Sequence, residues 1–159
     1  MPIKDPKFAT IKSTNYLPNA LVVCEAEEKG ANAGIWLDNE GYIAEGPNMN
    51  VGVVSREGEL LLPLFENILP GCTARRAIEL VPELVKANAA PGLKGVKLKK
   101  ITLKEAKEAP EAMLLGSGVL AIPIVEWDGK PIGNGKRTFF PCTFFTHTIL
   151  KQLPCLSGA

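Results

Sequence analysis

Lys12-Ser13-Thr14-Asn15-Tyr16-Leu17-Pro18-Asn19 and, after a helix-like run, Gly41-Tyr42-Ile43-Ala44-Glu45-Gly46-Pro47-Asn48-Met49-Asn50 are the stretches whose reading decides the fold. Upstream, Phe8-Ala9-Thr10-Ile11 is apolar and β-branched, which predicts a buried strand that ends at Lys12. A lysine in that place would be partly desolvated, and desolvation turns its amine into a nucleophile toward carbonyls. Tyr16 follows closely with a phenol able to donate or accept a hydrogen bond. Tyr42-Ile43-Ala44 reads as a second strand closed by Glu45, and Gly46-Pro47 forces a loop behind it. Singly, a strand-end lysine and a strand-end acid are ordinary surface charges. Here they stand on short pieces of structure that a hairpin could bring together.

Working outward, Pro18 suits the first turn of a helix, and Leu17, Ala20, Leu21 and Cys24 recur at helical spacing. Gly30 is expected to end that helix in the left-handed conformation. Ala33 to Leu37 is predicted as a strand, Asp38 to Gly41 as a turn, and Tyr42 to Ala44 as the returning strand. Val51-Gly52-Val53-Val54 and Leu60-Leu61-Leu62 form a second hairpin across Arg56 to Glu59. In Ile68-Leu69-Pro70-Gly71-Cys72-Thr73-Ala74-Arg75-Arg76, Gly71 permits a sharp turn and Thr73 is a fair N-cap. The helix it opens carries its apolar stripe on Ala77, Ile78, Val81, Leu84 and Val85, and Pro82 is expected to kink or split it. A helix opening behind a glycine turn aims free N–H groups and a positive dipole end outward, which suits phosphate. Val96 to Ile101 alternates as a strand with its lysines in solvent. Thr102-Leu103-Lys104-Glu105 has capping-box spacing and Pro110 stops the short helix after it. Gly116-Ser117-Gly118 then lets backbone amides approach an anion closely.

The 159 residues fit one domain, and 46% hydrophobic content is enough for a core. A formal charge of +1 gives no electrostatic case for a nucleic-acid partner or an acidic membrane surface. There is no apolar run of membrane-spanning length, and the opening Met-Pro-Ile-Lys-Asp-Pro-Lys-Phe resembles neither a signal nor a transit peptide. Cys24, Cys72, Cys142 and Cys155 form no C-x-x-C pair, and with His147 as the lone histidine no metal site is expected. The four cysteines read as reduced, buried structural thiols. Arg137 to Ala159 carries four phenylalanines around Pro141 with almost no charge, neither a clean helical stripe nor a solvated tail.

The ordered set Lys-x-x-Asn-Tyr, a helix, Leu-Asp-x-x-Gly-Tyr-x-x-Glu-Gly, Asn-x-Asn-Val and a near match to the family's Leu-Pro-Gly-x-Thr-Arg resembles the C-terminal domain of the class IV aminotransferases. This is the pyridoxal-phosphate (PLP) family of branched-chain and D-amino-acid aminotransferases and aminodeoxychorismate lyases. Ala-Glu-Gly-Pro-Asn-Met-Asn brings the chain nearest the plant D-amino-acid aminotransferase-like members. The resemblance runs from Pro6 to Lys136. It departs from the family pattern at Ala74, inserted before the arginine, and at the tail of residues 137–159.

The resemblance implies an α+β fold of fold type IV, a C-terminal large domain whose β-sheet pseudo-barrel is flanked by helices. It implies a PLP-binding domain over residues 1–136, followed by an atypical tail over 137–159, with the N-terminal domain of the family missing. Lys12 would form the Schiff base with PLP and then move a proton on the substrate. Tyr16 would hydrogen-bond the ring oxygen, Glu45 would pair with the pyridine nitrogen, and Asn50 would belong to the same cofactor site. The amides of Cys72 and Thr73, the Thr73 hydroxyl and Ser117 would hold the phosphate. No metal is required. The implied partners are an amino acid and a 2-oxo acid, on a homodimer, with neither nucleic acid nor membrane. The implied compartment is the cytoplasm, or a plastid as in some relatives. D-amino-acid or branched-chain transamination is the leading activity; the lyase that releases pyruvate and a catalytically silent PLP-binding form are the alternatives.

Overall fold

The computed structural model describes residues 5–135. The tail of residues 137–159, with Cys142, His147 and Cys155, lies outside the described residues. The chain opens on a short helix, α1 (Pro6–Ala9), where the composition predicts a strand. Asp5 is the reason: its side chain accepts from the Lys7 N–H at 2.9 Å, and Pro6 begins the first turn. That start signal outweighs the β-branched composition behind it. Phe8 and Ile11 are 63% and 57% exposed, so the burial expected around Lys12 is absent as well.

Helix α2 (Leu17–Glu28) forms where Pro18 predicts it, and Gly30 follows with φ +69. Its inner face is the other one, however. Asn19, Val22 and Ala26 are buried, while Leu17 and Leu21 are 65% and 48% exposed. The expected strand of Ala33 to Leu37 reduces to a ladder fragment. Leu37 bridges Ile43, and Trp36 exchanges backbone hydrogen bonds of 2.9 Å with Glu45 and Ala44. Asp38 closes the turn by accepting from the Glu40 and Tyr42 N–H groups at 2.9 and 2.8 Å. The return side is shared with a second partner: Ile43 N–H donates to the Ile101 carbonyl at 2.8 Å, and Tyr42 bridges Thr102. The ladder is irregular opposite Trp36, whose N–H donates to Glu45 while its carbonyl accepts from Ala44, so two residues face one and no regular strand develops.

The main sheet contains β1 (Glu45–Gly46), β2 (Met49–Val54), β3 (Glu59–Leu62), β4 (Gly95–Leu98), β5 (Glu111–Gly116) and β6 (Leu120–Ile124). Its order is β4-β3-β2-β5-β6, with β1 paired to β2. Only β3 and β4 run parallel, and the connection between them is the long helix α3 (Cys72–Lys86). A small ribbon of β7 (Glu126–Trp127) and β8 (Lys130–Pro131) follows.

Alternation along the strands gives the sheet two apolar faces. Leu60, Leu62, Met113 and Leu115 pack with Ala77, Leu80, Val81 and Leu84 of α3. Val51, Val53, Leu61, Ala112 and Leu114 pack with Ile43, Ile101 and Ala106, the last on the short helix α4 (Leu103–Lys107). The Thr102 side chain caps α4 by accepting from the Glu105 N–H at 3.0 Å. Pro82 does not split α3, which remains one helix through it. The N-cap of α3 is Gly71 in extended geometry, which puts Cys72 and Thr73 inside the first turn and corrects the assignment of Thr73 as the cap. The free thiols Cys24 and Cys72 are exposed, contrary to the expectation of buried structural cysteines.

Candidate functional site

Where the N-terminal segment, the β1–β2 turn, the start of α3 and the loop after β5 meet, they enclose a cleft of about 620 Å³. That volume lies within the roughly 300–1,000 Å³ usual for small-molecule sites. Lys12, Tyr16, Glu45, Asn50, Cys72, Thr73 and Ser117 all line it. These residues come from positions as far apart as 12 and 117, and the fold brings them around one cleft.

Each arrives for a local reason. Glu45 is at the start of β1, 96% buried, because the backbone of Trp36 and Ala44 holds that segment against the core. Its carboxylate accepts from the Leu69 N–H at 3.1 Å. Asn50 is buried beside it on β2 and grips the same loop twice. Its amide donates to the Leu69 carbonyl at 2.8 Å and its oxygen accepts from the Gly71 N–H at 3.2 Å. The loop of residues 69–71 is thereby fixed ahead of α3, whose Cys72, Thr73 and Ala74 N–H groups have no acceptor within the helix. Thr73 is 94% buried at this end, and Ser117 is exposed in the turn after Gly116. Helix dipole, free amides and hydroxyls make this corner of the cleft suited to an anion.

At the opposite lip, Lys12 is exposed, and its amine lies 5.8 Å from the centroid of the Tyr16 ring. The Tyr16 hydroxyl donates to Asn48 Oδ1, and the Asn19 amide donates to the same oxygen at 3.4 Å. Asn48 has φ +64, a conformation asparagine tolerates better than most residues. The sequence reading gives no role to Asn19, Asn48 or Arg75, all of which line the cleft. For Asn48 a signal exists: a second asparagine in a Gly-Pro-Asn-Met-Asn turn, where the left-handed conformation is common. For Arg75 the signal is the arginine that follows Leu-Pro-Gly-x-Thr, displaced by one position by Ala74. Among the described residues, Lys12 and Arg75 are the cations that line the cleft.

The residues present fit a phosphorylated aldehyde cofactor. A buried carboxylate, an amine and an amide-rich helix start share one cleft, and the buried Thr73 side chain lies at the anion corner. No group of three metal-ligating side chains occurs among the described residues, and no helix there is long and apolar enough to cross a membrane.

A chain of this topology, with an amine and a buried acid across one cleft, has the layout of a PLP-enzyme domain. Residues 2–127 match the family described as amino-transferase class IV. The chain is 52% identical over 138 residues to the chloroplastic D-amino-acid transaminase of Arabidopsis thaliana, an alignment that covers 86% of this chain and 36% of that protein. The structure of the branched-chain aminotransferase of Thermoproteus uzoniensis with norvaline superposes with a TM-score of 0.80 at 27% identity, covering 94% of this chain and 48% of that one. The branched-chain aminotransferase of Escherichia coli gives a TM-score of 0.78 at 26% identity, over 99% of this chain and 53% of that one. This chain therefore belongs to the class IV aminotransferases and has the α+β fold of their C-terminal domain. It spans between about a third and a half of the length of these relatives.

Proposed function

We propose that this chain carries the cofactor half of a PLP-dependent transaminase, with Lys12 as the residue that bonds the cofactor. The substrates on this reading are a D-amino acid or a branched-chain amino acid and a 2-oxo acid. The observation that supports it above all others is the convergence of Lys12, Tyr16, Glu45, Asn50, Cys72, Thr73 and Ser117 on one cleft.

PLP supplies an aldehyde that captures amines and a ring that accepts an electron pair. Everything else falls to the chain's own residues. The Lys12 amine would hold the cofactor, give way to the substrate amine, and then carry the proton from the substrate Cα to the carbon that had been the cofactor's aldehyde. The Glu45 carboxylate, desolvated and held by the Leu69 N–H, keeps a proton on the ring nitrogen. The Tyr16 phenol steadies the ring from the side of the lysine. Amides at the start of α3, the Thr73 hydroxyl and Ser117 bind the phosphate, and Asn50 keeps the loop that presents them in shape.

The test is direct. The purified 159-residue chain is incubated with PLP, reduced with borohydride, digested and weighed. The mass increase is expected on the peptide that contains Lys12 and is expected to vanish in Lys12→Ala. Transfer of the amino group from D-alanine, or from a branched-chain amino acid, to 2-oxoglutarate then assigns the substrate. A trapped adduct without transfer identifies a binding-only chain, and an adduct on another lysine overturns the reading.

A further inference from the structure

The segment of residues 5–19 carries Lys12, whereas Glu45 and Asn50 belong to the sheet, so something must hold the two in register. Within the segment the hydrogen bonds are local, from Lys7, Phe8 and Ala9 to Asp5 and from Ile11 to Phe8. Among the described residues, two hydrogen bonds that tie it to the sheet end on a single atom. Tyr16 Oη and Asn19 Nδ2 each donate to Asn48 Oδ1, across 32 and 29 residues of sequence. Asn19 is 92% buried on the inner face of α2, so this junction is shielded on one side. Asn48 sits in the turn between β1 and β2, close behind Glu45, and its carbonyl lies 3.2 Å from where a Cβ on Gly116 would stand. The turn is thus braced against the strand end that precedes Ser117.

We propose that Asn48 is a positioning residue, a latch whose side-chain oxygen docks the lysine-bearing segment on the sheet and sets the reach of Lys12 into the cleft. Tyr16 is the intermediate piece, with its hydroxyl on the latch and its ring beneath the Lys12 amine at 5.8 Å. The proposal rests on Lys12 being the cofactor lysine only for its consequence; the latch itself is a property of the cofactor-free chain.

The backbone at Asn48 makes a clean experiment possible. At φ +64, glycine is tolerated without strain, so Asn48→Gly removes the amide and leaves the turn intact. Asn48→Asp restores an acceptor oxygen. In the cofactor-free chain, amide hydrogen exchange of residues 8–20 is expected to speed up about tenfold in Asn48→Gly, the equivalent of one or two net hydrogen bonds, with β2 and β5 unchanged. Asn48→Asp is expected to restore most of the protection. In the same proteins, the PLP concentration that gives half-maximal borohydride trapping is expected to rise about tenfold in Asn48→Gly and to fall back in Asn48→Asp. Unchanged exchange of residues 8–20 overturns the latch whether or not PLP binds. Faster exchange with unchanged trapping overturns its role in positioning Lys12. If the wild-type chain traps no PLP on Lys12, it is the functional reading that falls, and the exchange measurement decides the latch.

Discussion

Asn50 and Gly71 meet at a distance that leaves no room for a side chain. The Asn50 oxygen accepts from the Gly71 N–H at 3.2 Å, and a Cβ on Gly71 would lie 2.2 Å from that same oxygen. Gly71 has φ −61 and ψ 142, which any residue adopts, so the glycine is needed for space and not for conformation. Its close approach lets a buried amide on β2 shape the loop that opens α3.

This relationship sets the first prediction. Gly71→Ala is expected to destabilise the chain by about 1–3 kcal/mol through overpacking, read as a lower urea midpoint at unchanged slope. Asn50→Ala is expected to cost a similar amount, since it strips partners from the Leu69 carbonyl and the Gly71 N–H. The double variant is expected to cost about 1 kcal/mol less than the sum, because removing the amide clears the space that the new methyl needs. Strict additivity would mean that the two residues do not compete for one place.

The elements legible in the sequence are those in which local signals agree. Pro18 and Gly30 bracket α2, the alternation of Val51 to Val54 and Leu60 to Leu62 yields β2 and β3, and Thr102 caps α4. Where signals compete, composition misleads. Asp5-Pro6 nucleates a helical turn in a stretch that reads as β-branched strand. Ala33 to Leu37 meets Ala44 and Glu45 two against one at Trp36 and never becomes a full strand. Lys12, Tyr16, Glu45, Asn50, Cys72, Thr73 and Ser117 are legible through their motifs and line one cleft, whereas Asn19 and Asn48 line it with no role read from the sequence. The contacts that hold them are not legible, because bonds such as Tyr16 to Asn48 depend on which loops meet and leave no periodicity behind.

Helix α2 offers a prediction about which face counts. Its periodic residues Leu17 and Leu21 point outward, while Val22 lies beneath Gly34, with Val22 Cγ2 only 2.7 Å from where a Cβ there would stand. Val22→Ala is expected to cost about 1–3 kcal/mol, and Leu21→Ser to stay within about 0.5 kcal/mol, by urea denaturation of the chain. The reverse ranking would show that the outward stripe is buried in solution.

Glu45 separates structure from chemistry. Glutamine keeps an oxygen for the Leu69 N–H, so Glu45→Gln is expected to fold with a stability change below about 1 kcal/mol. It loses the charge that would hold a proton on the cofactor ring. With PLP present, exchange of the D-alanine α-proton into deuterated water, followed by proton NMR, is expected to slow about 10²-fold, while PLP affinity changes by less than about tenfold. An undiminished exchange rate would remove Glu45 from the chemistry.

The anion corner can be tested without any turnover, by comparing PLP with pyridoxal, which lacks the phosphate. Thr73 is 94% buried, so Thr73→Val keeps its shape and removes only the hydroxyl, whereas Ser117 is exposed and Ser117→Ala disturbs little else. A hydrogen bond to a charged phosphate is worth about 1.5–3 kcal/mol, or roughly 10- to 100-fold in affinity. Each substitution is therefore expected to weaken PLP by at least about tenfold and leave pyridoxal unchanged, as followed by absorbance titration. The loss is expected to be larger for Thr73, a residue almost wholly buried at the start of α3, than for the exposed Ser117. Equal weakening of both ligands would move the phosphate away from this corner and leave the α3 N-terminus without a ligand.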